Sequence, residues 1–234
     1  VFESLQAWKP AMEAHGEEAL KRIYADANWR QSVKDELAAA RGLRLFNSEW
    51  NKLFVVEVGR PENRAKEGAD LASLAKAAGQ DPFDYILDFA LQENLDTSFV
   101  AQLLHNDEKA VGRILADPAT HISLSDAGAH LTFFCDAGFG LHLMGHWSRD
   151  KGVMSLEQAV HRLTGQPAHL FGIQDRGFLR EGQAADLLLF DPKTVGRGPK
   201  KRVYDLPSGA ARLTAGGQGV HGVWVNGTRV ADAK

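Results

Sequence analysis

The chain has 234 residues with 27 basic and 30 acidic side chains. That net charge of −3 argues against nucleic-acid binding through a basic stripe. At 44% hydrophobic it matches an ordinary soluble globular chain, and no window approaches the ~18 apolar residues of a membrane span.

A single cysteine, Cys135, excludes an intrachain disulfide and any zinc motif built on two cysteines. It fits a reducing compartment, so a cytoplasmic location is expected. The chain opens on Val1, and VFESLQAWKPAMEAHG lacks the basic-then-apolar order of a signal peptide.

Met12, Ala19, Leu20, Ile23, Tyr24, Trp29, Val33 and Leu37 recur at helical spacing and predict helix over 11–40. Residues 43–46 and 53–58 (LFVVEV) read as strands, and 59–68 (GRPENRAKEG) as a loop. A helix runs from Asp70 to Ala78, with Leu71, Leu74 and Ala75 inward and Gly79 as its C-cap. Asp81-Pro82 starts another, with apolar face Phe83, Ile86, Leu87 and Ala90.

Residues 98–104 read as a strand. Asn106 or Asp107 caps a third helix, with Val111, Ile114 and Leu115 inside, and Asp117-Pro118 ends it. Residues 121–125 (HISLS) form a short strand running into Asp126, and this alternation predicts parallel βα units. After a glycine-rich loop (127–140), Ser155 and Gln158 make a capping box for a helix buried through Leu156, Ala159, Val160 and Leu163. Pro167 starts a short helix ending near Gly172.

From Gly177 the pattern is β. DLLLF (186–190) is a continuous apolar strand, and 220–225 and 228–230 flank Asn226-Gly227, a type I′ hairpin signal. The basic stretch 193–201, with Lys193, Arg197, Lys200 and Lys201, reads as a solvated loop.

Asp126 stands where an apolar strand gives way to a glycine-containing loop, the place where α/β architectures collect catalytic groups. A carboxylate there ligates a metal or moves a proton, but Asp-Ala-Gly is also ordinary turn chemistry. His130, four residues on, reaches the same mouth or is a plain surface histidine. His142 and His146 share one helical face, yet no Glu follows the first and Gly145 weakens the helix. Cys135 has no base beside it in sequence, and Asp136 has only proximity to recommend it. No G-x-S-x-G, G-x-G-x-x-G or P-loop is present.

The runs ISLSDAGAH, GVMSLEQAVHRLTGQPAHLFGIQDRGFLREGQAADLLLFDP and VHGVWVNGTRV together resemble the C-terminal part of the amidohydrolase superfamily, in its D-aminoacylase (N-acyl-D-amino-acid deacylase) branch. GADLASLAKAAGQDPFDYILDFAL and LLHNDEKAVGRILADP resemble the same branch, so the likeness covers 68–234 well and 1–67 more loosely. It implies an α/β fold, the C-terminal part of a (β/α)8 TIM-type barrel followed by part of a small β-sandwich domain. Residues 1–176 would be the barrel part with a helical insertion, and 177–234 the C-terminal strands of the small domain. Residues 98–104 and 121–125 would be the seventh and eighth barrel strands.

The resemblance makes Asp126 the metal-contacting, proton-shuttling aspartate and His130 a substrate-binding residue. It implies zinc as cofactor, a small-molecule amide as substrate and hydrolysis of a non-peptide C–N bond by zinc-bound hydroxide.

Two departures stand out. No His-x-His occurs among the nine histidines, so the other metal ligands would lie before Val1 and the chain reads as the C-terminal piece of a longer enzyme. The stretch 131–140 (LTFFCDAGFG) lacks the basic residues that would hold a substrate carboxylate, which points to a less charged amide. An incomplete barrel leaves open strand edges, so self-association through them is expected, and a degenerate assembly module is the alternative function. A cyclic-amide or dipeptide-type amidohydrolase is a further one.

Overall fold

The computed structural model describes residues 1–39, 46–103, 105–123, 125, 127–129, 131–132 and 135–232, which divide into two compact units, Val1–Asn106 and Asp107–Lys234. In the first unit, the predicted helix over 11–40 is three helices: α1 (Lys9–Met12), α2 (Glu17–Ala25) and α3 (Ala27–Ala38). Gly16, at φ 85°, separates the first two. Asp26 leaves the helical region, and its side chain accepts the Trp29 N–H at 2.9 Å to start the third. A capping residue inside a periodic stretch thus outweighs the period.

Residues 43–45 lie outside the described residues, and Phe46 is buried without being in a strand. β1 (Leu53–Glu57) is followed by α4 (Leu71–Ala78), α5 (Pro82–Gln92) and β2 (Ser98–Ala101). Both helices start as the sequence indicates: Asp70 accepts from the Ser73 N–H at 2.8 Å, and Asp81 from Phe83 and Asp84. Gly79 ends α4 in the left-handed region at φ 67°. Phe83, Ile86, Leu87 and Ala90 are buried as expected, with Tyr85 and Phe89 joining them.

β1 and β2 pair antiparallel, Leu53 opposite Ala101, which corrects the expected parallel arrangement. One helix between strands returns the chain for a parallel pairing. Here two helices packed on each other intervene instead of one. The core of this unit gathers Phe2, Leu5, Val33, Leu53, Val55, Leu71 and Phe83, with Phe2 in edge contact with both Phe46 and Phe83. Glu93, 1% exposed, accepts the Arg60 N–H at 2.7 Å and the Asn63 amide, which satisfies a buried carboxylate and pins the 59–68 loop.

The second unit opens with α6 (Glu108–Ala116), capped by Asp107. Residues 121–123 and 125 form no strand, which corrects that expectation; Leu124 lies outside the described residues. Ile122 packs into the core from this segment, but no described strand lies beside it to complete a ladder. α7 (Phe139–His142) continues into a π-helical segment, Leu143–Asp150, and α8 (Leu156–Leu163) and α9 (Gly165–Leu170) follow. Both hydrogen bonds of the Ser155–Gln158 capping box form, at 2.9 and 3.2 Å. Leu143, Met144, Met154, Ala159 and Val195 make the core.

The remaining strands are β3 (Leu187–Phe190), β4 (Gly196–Val203), β5 (Arg212–Gln218), β6 (Val220–Val225) and β7 (Thr228–Asp232). They form a three-stranded sheet in the order β3-β6-β7 and a two-stranded β4-β5 sheet, both antiparallel. The β6–β7 turn has positive φ at Asn226 and Gly227, as the Asn-Gly signal requires. The basic stretch expected to be a loop is largely strand β4. Its register shifts between Arg197 and Lys200, so Pro199 sits in the irregularity, where its missing N–H breaks no regular rung.

The architecture is mixed α/β. Among the described residues the sheets do not close into a barrel, and no helix is long and apolar enough to cross a membrane.

Candidate functional site

Asp126 and His130 lie outside the described residues. The backbone around them is anchored at several points. The Ala127 N–H donates to Ser125 Oγ at 3.1 Å, and Gly128 takes φ 95°, a conformation suited to glycine. The Leu131 carbonyl accepts the Leu213 N–H from β5 at 2.8 Å, and the Thr132 carbonyl accepts the Arg202 guanidinium from β4 at 2.9 Å.

Cys135 is 7% exposed, buried rather than presented as a nucleophile. Asp136 receives two cations from β4: Arg197 and Lys200 each approach its Oδ1 to 3.2 Å. Gly138 lies so close to the Arg197 side chain that a Cβ would meet its Cγ at 2.5 Å.

His142 and His146, which share a helical face as the spacing predicts, stack at 4.7 Å between ring centroids and 7° between planes. The edge of each meets Trp147. His146 Nε2 lies 2.9 Å from Glu108 Oε1, and the other oxygen of Glu108 takes the Lys151 ammonium at 2.5 Å. Those two partners, Lys151 first, hold the Glu108 carboxyl below the usual carboxylate range. Burial, and then the neighbouring His146, push His142 down to about 4, so its ring is neutral near pH 7.

Zinc does not fit these side chains. One His146 nitrogen is engaged by Glu108, and among the described residues no three of His, Cys, Asp and Glu gather in a way that could hold an ion. The pairing of Asp136 with Arg197 and Lys200 has no local signature, since the first two are 61 positions apart in sequence. The Glu108–His146 pair spans 38 positions and escapes a local reading for the same reason.

The family model of the amidohydrolase family matches residues 14–231. An uncharacterised protein of Mycobacterium tuberculosis is 29% identical over 199 residues, which are 82% of this chain and 32% of that protein. The D-aminoacylase of Alcaligenes xylosoxydans xylosoxydans is 34% identical over 167 residues, 70% of this chain and 31% of that enzyme. Among solved structures, the N-acyl-D-glutamate deacylase of Bordetella bronchiseptica is 27% identical with a TM-score of 0.41, covering 77% of this chain and 35% of that one. The chain thus spans about a third of the length of the curated relatives it matches, 32% and 31% for the two above.

Proposed function

The chain belongs to the amidohydrolase family, in its D-aminoacylase-like branch, and from that premise we propose that it forms part of a hydrolase that cleaves a non-peptide amide bond. The observation that carries this reading is the family match over 14–231, which takes in the SLSDAGAH segment. Asp126 is the acting residue in it. Its carboxylate accepts a proton from the attacking water and delivers it to the departing nitrogen, so that the amine leaves neutral. His130 contacts the substrate from the same loop.

A divalent metal, zinc by resemblance, belongs to the same reading, with its remaining ligands supplied from outside these 234 residues. The substrate is a small N-acyl compound. The lack of basic residues over 131–140 and the pairing of its one acid, Asp136, with β4 favour one carrying less charge than an N-acyl-D-amino acid.

The test is amine release by the native protein from a panel of N-acyl-D-amino acids and neutral N-acyl amides, with Asp126→Asn beside it. Turnover of at least one amide is expected, reduced about 10²–10⁴-fold by the substitution, the range that positioned acid–base groups contribute. Undiminished turnover in Asp126→Asn, or none on the whole panel, overturns the reading.

A further inference from the structure

The segment that Asp126 heads is fastened at several points to a single hairpin. Leu131 is held through its carbonyl by the β5 backbone, and Thr132 through its carbonyl by Arg202 of β4. Asp136 meets Arg197 and Lys200 of the same strand at 3.2 Å each. Gly138 then leaves no room for a side chain against Arg197.

These contacts are unequal in kind. The backbone bond at Leu131 survives any side-chain change there, whereas the Asp136 contact depends on one carboxylate. That carboxylate is also the acid of a stretch with no cation of its own, so its counter-charges must come from elsewhere in the fold.

We propose that Asp136 is a positioning residue: through Arg197 and Lys200 it ties the segment that follows the Asp126 motif in sequence to the β4–β5 hairpin, and the rate of the proposed hydrolysis depends on that tie. This rests on the amidohydrolase reading for its catalytic consequence, but the tie itself has a readout independent of activity. The contact is half-exposed, and exposed ion pairs add little to global stability. A small misplacement of a catalytic group, by contrast, costs about 10²-fold in rate. Positioning and stability therefore separate in measurement.

The experiment compares the native protein with Asp136→Ala and Asp136→Glu, reading kcat and KM on an amide it turns over, the melting temperature, and amide hydrogen exchange over residues 127–138. The expected result for Asp136→Ala is a fall in kcat of about ten- to a hundredfold with KM changed less than about threefold. Exchange across 127–138 accelerates, the melting temperature barely moves, and Asp136→Glu recovers most of the rate. Exchange unchanged in Asp136→Ala overturns the proposal. So does a loss of kcat that tracks a lowered melting temperature and is not recovered by Glu. If the unsubstituted protein turns over no amide, the functional reading falls instead. Exchange alone then decides, acceleration supporting the tie and its absence overturning it.

Discussion

A histidine held neutral makes its surroundings sensitive to acid, and His142 is in that position. Its folded-state value is lowered from 6.5 to about 4, by burial first and by His146 next, with Arg197 also lowering it and Asp136 and Glu108 opposing. The unfolded chain therefore binds more protons than the folded one between those values. The associated stability is present above about pH 6.5 and is lost as pH falls toward 4. Solvent reaches part of the ring, so the contribution is discounted to about 1–2 kcal/mol. Urea unfolding at about pH 7 and about pH 4.5 tests it: the drop in stability should be about 1 kcal/mol smaller in His142→Gln than in the unsubstituted protein. Equal drops would show that the ring is not held neutral by the fold. The carboxyl of Asp205, lowered by Arg212, adds to the same acid sensitivity without involving His142, so it cancels in the comparison.

At the scale of elements, what was readable in the sequence is what a few neighbouring residues decide. Asp70 and Gly79 bound α4, Asp81-Pro82 opens α5, Ser155 with Gln158 opens α8, and Asn226-Gly227 turns β6 into β7. Each signal acts within four residues of the backbone groups it satisfies. What escaped depends on distant partners. β4 has Gly, Pro and Lys where a strand usually carries branched residues, and it is a strand because β5 pairs with it. Residues 121–123 and 125 have the composition of a strand, and among the described residues no strand pairs with them. The pairing of Asp136 with β4, 61 positions away, left no mark in the local sequence, and Asp126, the motif residue proposed to act, lies outside the described residues.

The π-helical segment offers a prediction in which two magnitudes compete. Replacing Gly145 by Ala gains up to about 1 kcal/mol of helix propensity. A Cβ at 145, however, would stand 2.5 Å from the Val195 carbonyl oxygen and 3.1 Å from the Gly196 Cα. Both are backbone atoms, and overpacking of that kind costs about 1–3 kcal/mol. Crowding should win, so Gly145→Ala is expected to lower the unfolding free energy by about 1–2 kcal/mol in denaturant titration. A more stable variant would mean that the segment does not approach β4 so closely.

For the molecule as a whole, the open quantity is how much of a metal centre these residues supply. A catalytic zinc takes about three protein ligands from His, Asp, Glu or Cys. The described residues bring no three such groups together, and the side chains outside that description add Asp126, His130 and Asp232 to the stock of ligand types. Any further ligand would have to come from a side chain already engaged elsewhere, as His146 is with Glu108, or from a lone one. Binding free energy falls steeply when a ligand is missing, because the ion keeps its water instead. The 234-residue chain, equilibrated with about micromolar zinc and passed through a desalting column, should therefore retain well under one ion per molecule. Asp126→Asn should lower that residue further, while His146→Gln leaves it unchanged. Retention of one zinc per chain, surviving the column and lost in His146→Gln, would place a complete centre around the stacked histidines and overturn the proposal that most of the metal's ligands come from outside these residues.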